Sequence, residues 1–272
     1  MVEGAVMNRV PRGGGEGTGP GRHQSLALSL RDVRVDFPGS SADHPALDGV
    51  DVECRDGEFL VLVGRSGSGK TTILNVLSGL VTPDSGEVEI LGGKPKAARD
   101  DLGFMFARDA LMPWRSARRN VELGLEILGT PKAERRETAV RMLERVGLGH
   151  ATGRLPAQLS QGMRQRVALA RTWVRQPKLL LMDEPFSALD AQTRRESQQV
   201  FLDTWADSSA SVVLVTHDLT EALLLADRLV LLSAGKVLRE VTIPFERPRD
   251  LDELVTSDEF RRLERELWEL LI

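Results

Sequence analysis

The segment GRSGSGKT at residues 64 to 71 gathers the side chains a phosphate chain requires, directly after the apolar run GEFLVLVG. Glycines at 64, 67 and 69 let backbone amides approach phosphate oxygens without a Cβ in the way, and Arg65, Ser66 and Ser68 stand between them. Lys70 supplies a point charge for the terminal phosphates, Thr71 a hydroxyl that suits magnesium, and Thr72 follows in the same turn. Such a loop works only between a strand and a helix, where the positive helix end meets the anion. Both flanks are predicted: residues 57 to 64 form a strand buried on both faces, and TTILNVLSGL has helical spacing. Without them the glycines would mark only a turn.

A second cluster follows the apolar strand in LLLMDEP, residues 179 to 185. It delivers Asp183 and Glu184 to the carboxyl edge of a parallel sheet, where open α/β folds bind ligands. Asp183 can hold magnesium and Glu184 can polarise an attacking water, although two acids after a strand also serve as a helix cap. In LSQGMRQRVALAR, Ser160 stands at a helix start and Gly162 permits close approach, which suits a second anion site, although an ordinary capped amphipathic helix has the same pattern. One nucleotide has one phosphate tail, so the simplest use of that site is the nucleotide of another copy, in a head-to-tail dimer. SVVLVTHDL places His217 past another buried strand on the same sheet edge, within reach of a γ-phosphate and Glu184. His23, His44 and His150 lie in tail or loop settings and receive no role.

The elements that must hold these groups are legible in the periodicity. Strands are predicted over Leu26 to Phe37, into Leu91, over Gly103 to Phe106, at 179 to 183 and 211 to 216, with two more around Ala234-Gly235. Helices are expected over 116 to 146, broken at GTP, and over 160 to 175, 190 to 207 and 218 to 226. The last, SDEFRRLERELWELLI, is amphipathic, with Phe260, Leu263, Leu267, Trp268 and Leu271 on or near one face. This alternation implies a helix-covered, largely parallel sheet. Residues 1 to 25, rich in glycine, are expected to form a flexible tail, 26 to 240 the core domain and 241 to 272 a C-terminal extension.

Bulk properties exclude other classes. A chain of 272 residues with 41% hydrophobic content buries a full core, and its single Cys54 cannot form an internal disulfide. A formal net charge of −4 argues against nucleic acid as the partner. Of 36 cationic residues 30 are arginine, so a cluster such as Arg115, Arg118 and Arg119 carries little meaning. The longest aliphatic runs are too short to span a bilayer.

In this order the motifs resemble the ATP-binding subunits of ABC transporters: GRSGSGKT as Walker A, LSQGM as the signature, LLLMDEP as Walker B, SALD at 187 to 190 as the D-loop and His217 as the switch histidine. The stretches LMPWRSARRNVELGL and IPFERPRD are similar to the nitrate, sulfonate and taurine importers of that family. The resemblance implies a RecA-like P-loop NTPase core with an antiparallel β edge and a helical subdomain at about 105 to 176. It implies ATP and Mg2+ as cofactors, with Phe37 stacked on adenine. It also implies a homodimer on the cytoplasmic face of the membrane, bound to two integral-membrane permease subunits and served by a solute-binding protein. Soluble ABC proteins with two cassettes fit less well, and GTPases lack LSQGM.

One departure stands out in GFMFARDALMPW, residues 103 to 114. Where the family carries the Q-loop glutamine, directly after an aromatic, this chain has Ala107. Alanine can neither contact magnesium nor place water, which raises the alternative of a slow or non-hydrolysing nucleotide-gated module. Arg108 or a water could partly fill the gap, and Met112-Pro113-Trp114 is expected at the edge of the permease-docking surface.

Overall fold

The computed structural model describes residues 25–37 and 45–271. The expected tail before Ser25, with His23, and the turn segment containing His44 lie outside them. Nine strands and eight α-helices alternate among the described residues.

The central sheet has the order β5-β6-β7-β3-β8-β9, built from β3 (Phe59–Gly64), β5 (Leu102–Met105), β6 (Leu179–Asp183), β7 (Ser211–Thr216), β8 (Arg228–Ser233) and β9 (Lys236–Thr242). All pairs are parallel except β8 with β9, which closes the edge as an antiparallel hairpin. The inner strands read as unbroken apolar runs because both faces are covered. Phe59, Val61, Val63, Leu180, Met182, Val212 and Leu214 face one core, while Leu60, Leu62, Leu179, Leu181, Val213 and Val215 face the other.

The second core is completed by α1 (Lys70–Leu77) and by an antiparallel sheet of order β2-β1-β4, from β1 (Leu26–Val35), β2 (Leu47–Arg55) and β4 (Ser85–Ile90). The first is covered by α2 (Ala117–Ile127), α3 (Lys132–Arg145), α4 (Gln161–Trp173), α5 (Ala191–Ala206) and α6 (Leu219–Leu225). The fold is thus a P-loop NTPase core with an antiparallel β layer, and α2, α3 and α4 lie in the chain between β5 and β6.

Three local expectations shift. Phe37 falls just outside β1, which ends at Val35. Phe106 is not in the core strand: β5 stops at Met105, and Phe106 is half exposed with its ring 4.5 Å from that of Phe104. Trp268 is exposed, because α8 (Asp258–Leu271) turns Phe260 and Leu267 fully into the core and leaves the tryptophan on the flank. A short helix not anticipated from the sequence, α7 (Leu251–Thr256), precedes it and buries Leu251 in the same core. The arginines at 115 and 118 pair with Glu126 and Glu122.

Candidate nucleotide-binding site

Five of the helices begin with a side chain that accepts an amide hydrogen bond: Ser116, Ser160, Asp190, Asp218 and Asp250. Helix α1 begins differently, on Gly69 with φ 99°, with no side-chain cap and no acid in its first turn. Its first amides therefore remain available to an anion. A Cβ on Gly69 would lie 2.6 Å from the Ala46 carbonyl oxygen, so only glycine fits both the backbone angle and the space. Within the loop, Arg65, Ser66 and Gly67 are exposed whereas Ser68 is buried. The buried Ser68 hydroxyl has no hydrogen-bond partner and packs against Gly64.

Lys70 is buried to 5% exposure and donates from Nζ to the carbonyls of Gly64 at 2.8 Å and Arg65 at 3.0 Å. Its ammonium curls back along the loop and is placed where phosphate oxygens would replace these carbonyls. Burial pulls its pKa below the ordinary lysine value, against the opposing pull of Glu184 and Asp183. Thr71 donates its hydroxyl to Asp183 Oδ1 at 3.2 Å, which joins the end of β6 to the start of α1. Burial pushes the Asp183 carboxyl up, with Glu184 adding to the rise, while the Thr71 hydrogen bond and Lys70 oppose it. A divalent cation would relieve this buried acid, and the Thr71 hydroxyl with the Asp183 carboxylate suits magnesium, which keeps water and phosphate as its other ligands. No group of three or more His, Cys, Asp or Glu residues that could hold a metal ion lies among the described residues.

Glu184 has φ 46°, a left-handed backbone costly for a residue with a side chain, and its amide donates to the Val215 carbonyl at 2.9 Å. This kink separates it from Asp183 and sends its Oε2 to 3.0 Å from His217 Nδ1. The carboxylate can accept a hydrogen bond from Nδ1–H, which leaves Nε2 as an acceptor. Lys70, Thr71, Asp183, Glu184 and His217 are therefore drawn together at the carboxyl ends of β3, β6 and β7. Burial, helped by the neighbouring Glu58 carboxylate, pushes the Cys54 thiol up, which suits an unreactive residue.

Ser160 and Gly162 stand apart from that group, at the start of α4. The Ser160 hydroxyl is exposed and accepts from the Met163 amide at 3.3 Å. Gly162 is buried against α5: a Cβ there would meet Thr193 Cγ2 at 2.2 Å, so its small size serves helix packing. Phe37, two residues past the end of β1, is 42% exposed.

Sequence reasoning overlooked the ties between α4 and its neighbours. Arg164 pairs with Asp109 at 2.9 Å, and Arg171 donates to the carbonyls of Ala110 and Asp109, so α4 pins the segment that follows Ala107. Gln165 donates to the Pro185 carbonyl, linking α4 to the acid pair. The spacing of Arg164 and Arg171, seven apart on one helical face, was the available signal.

Phosphate loop, acid pair and sheet order define a P-loop nucleotide-binding protein. Residues 47–187 match the ABC transporter family, and the chain belongs to it. It is 47% identical to the taurine import ATP-binding protein of Chromobacterium violaceum over 224 residues, 81% of this chain and 85% of the relative. It is 41% identical to the nitrate import ATP-binding protein of Synechocystis, over 80% of this chain and 83% of the relative. The bicarbonate transport ATP-binding protein of Synechocystis is 37% identical over 87% and 86%. A dimeric ATP-binding cassette solved in a post-hydrolysis state with ADP and Pi superposes at a TM-score of 0.72 and 33% identity, covering 80% of this chain and all of that one. The chain is an ATP-binding ATPase of the ABC type. No helix among the described residues is long and apolar enough to cross a membrane.

Proposed function

We propose that this chain is the motor subunit of an importer for a small anion of the taurine, nitrate or bicarbonate kind. The observation that carries the reading is the Glu184 to His217 contact of 3.0 Å beside the Thr71 to Asp183 pair, in a chain similar to import ATP-binding subunits.

In this reading the loop from Gly64 to Thr72 cradles the phosphates of ATP, with Lys70 on the terminal ones. Phe37 stacks on the adenine. Thr71 and Asp183 hold a magnesium ion, which when bound neutralises phosphate charge. Glu184 accepts a proton from the attacking water, and His217 orients that carboxylate and the γ-phosphate. Ser160 and the α4 amides near Gly162 meet the nucleotide of a second copy, so two chains close head to tail on ATP and part after hydrolysis. Two membrane-spanning permeases receive that motion on the cytoplasmic face, through a surface that includes the exposed Trp114, and a solute-binding protein delivers the anion. Ala107 supports a variant of the reading in which turnover is slow.

The test is magnesium-dependent ATP turnover of the full chain, alone and reconstituted with its permease subunits, with uptake of labelled taurine, nitrate and bicarbonate. Turnover no greater than that of Glu184→Gln in the reconstituted system would sink the motor role; uptake of none of the three anions would sink the solute class.

A further inference from the structure

Helix α6 is gripped at both ends by the C-terminal segment. At its carboxyl end the buried guanidinium of Arg249 donates to the carbonyls of Leu224 at 3.0 Å and Ala226 at 2.8 Å, and also to Phe245 at 2.7 Å. Arg247 donates to the Leu225 carbonyl and to Asp227, with its guanidinium carbon 4.5 Å from the Trp205 ring centre. These contacts satisfy carbonyls that a helix end leaves without partners. At the amino end, the Thr220 hydroxyl donates to Glu264 of α8. Between the two grips, Phe260 and Leu267 are fully buried in the core that holds Leu223 and Leu224.

Two residues, His217 and Asp218, connect β7 to α6. Asp218 is already committed, capping α6 through the Glu221 amide and accepting from Arg194 at 2.9 Å. So short a connection ties the histidine's backbone to α6: where the first turn of α6 sits decides from where the imidazole starts. The histidine side chain is 56% exposed and borders a cleft of about 510 Å³ whose far wall is Glu264 and Trp268 of α8.

We propose that the C-terminal segment positions His217. Glu264, through Thr220, fixes the first turn of α6, and Arg249 fixes the last, so that the imidazole meets Glu184. Glu264 and Arg249 are positioning residues that act through α6 and touch no substrate. The proposal rests on the catalytic role given above to His217.

The test is steady-state ATP turnover of the full chain. Glu264→Ala is expected to lower kcat by about fivefold with KM for ATP within about twofold, the size of effect a small misplacement produces. Thr220→Val, which removes the donor and keeps the shape, is expected to match it. Glu264→Gln keeps an acceptor oxygen and is expected to stay near the parent rate. In a His217→Ala background, Glu264→Ala is expected to change nothing further, since coupled residues fail to add. A parent-like kcat in both Glu264→Ala and Thr220→Val overturns the proposal. So does an equal loss in Glu264→Gln, or a loss of the same size with and without His217. Full turnover in His217→Ala alone would remove the histidine's role and the proposal with it, whereas loss there with silence at Glu264 removes only the positioning.

Discussion

His217 Nδ1 lies 3.0 Å from Glu184 Oε2, across the seam between the ends of two neighbouring parallel strands. The contact depends on the left-handed backbone of Glu184, which turns its carboxylate away from Asp183 and toward the β7 edge. Two adjacent acids thereby face different partners, Thr71 for Asp183 and His217 for Glu184. Glu184→Gln is expected to retain ATP binding and lose turnover by at least 10²-fold, the scale of losing a group that acts in the transition state. Measuring nucleotide affinity and hydrolysis on one preparation checks this, and weakened binding with parent turnover would contradict it.

Ala107 tests the site from the other side. The main chain there is held in place by Arg171 on the carbonyls of Asp109 and Ala110, so a longer side chain can be added without rebuilding the loop. Ala107→Gln is expected to raise hydrolysis by on the order of tenfold, as a water-placing contact is restored. Unchanged hydrolysis and unchanged coupling to uptake would show that this position does not limit the reaction.

Gly162 should respond to packing. Gly162→Ala puts a methyl 2.2 Å from Thr193 Cγ2 and is expected to destabilise the fold by about 1–3 kcal/mol in denaturant melts. Adding Thr193→Ser removes the opposing methyl and should restore most of that loss. Failure of the second change to rescue would assign the glycine's importance to its amide instead.

Glu221 gives a pH signature. It is 4% exposed, accepts from Gln198 at 2.9 Å, and burial raises its pKa to about 7, with Asp218 adding to the rise and Thr216, Gln198 and Arg194 opposing it. A carboxyl whose folded value lies above its unfolded value binds its proton more tightly in the native state. Its stabilising contribution is therefore full below about pH 4.5 and is lost as pH rises toward 7. Glu221→Gln, which keeps an acceptor for Gln198, should flatten this dependence and leave the variant more stable than the parent at pH 8 by about 3 kcal/mol. Parallel stability curves for the two proteins would refute this.

What was legible in the sequence was local. The phosphate loop, the acid pair and the His217 strand end are each fixed by a short apolar run and the polar residues that end it, and the structure assembles all three on one edge. Other features depend on distant partners. That Phe106 leaves its strand follows from β5 being an edge strand of four residues, and alternation alone does not show where it ends. The helical face of the C-terminal segment was visible, yet Trp268 could be sorted from Leu267 only by what α6 presents to it. Gly162 carried a motif reading, and its contact with Thr193 exists only once α4 lies on α5. The arginines of ERPRD looked like a family mark; their physical use, holding the carbonyls at the end of α6, needed the tertiary structure.

The burial of Phe260 and Leu267 has a consequence for synthesis. The apolar side of α6 that they cover cannot be sealed until the ribosome has delivered the chain past residue 267, long after the phosphate loop and acid pair have emerged. A nascent chain carries its nucleotide-binding motifs with that side of the core uncovered, the condition in which unfinished proteins associate wrongly or attract chaperones. Delivery of α8 thus sets the moment at which this side of the core can close.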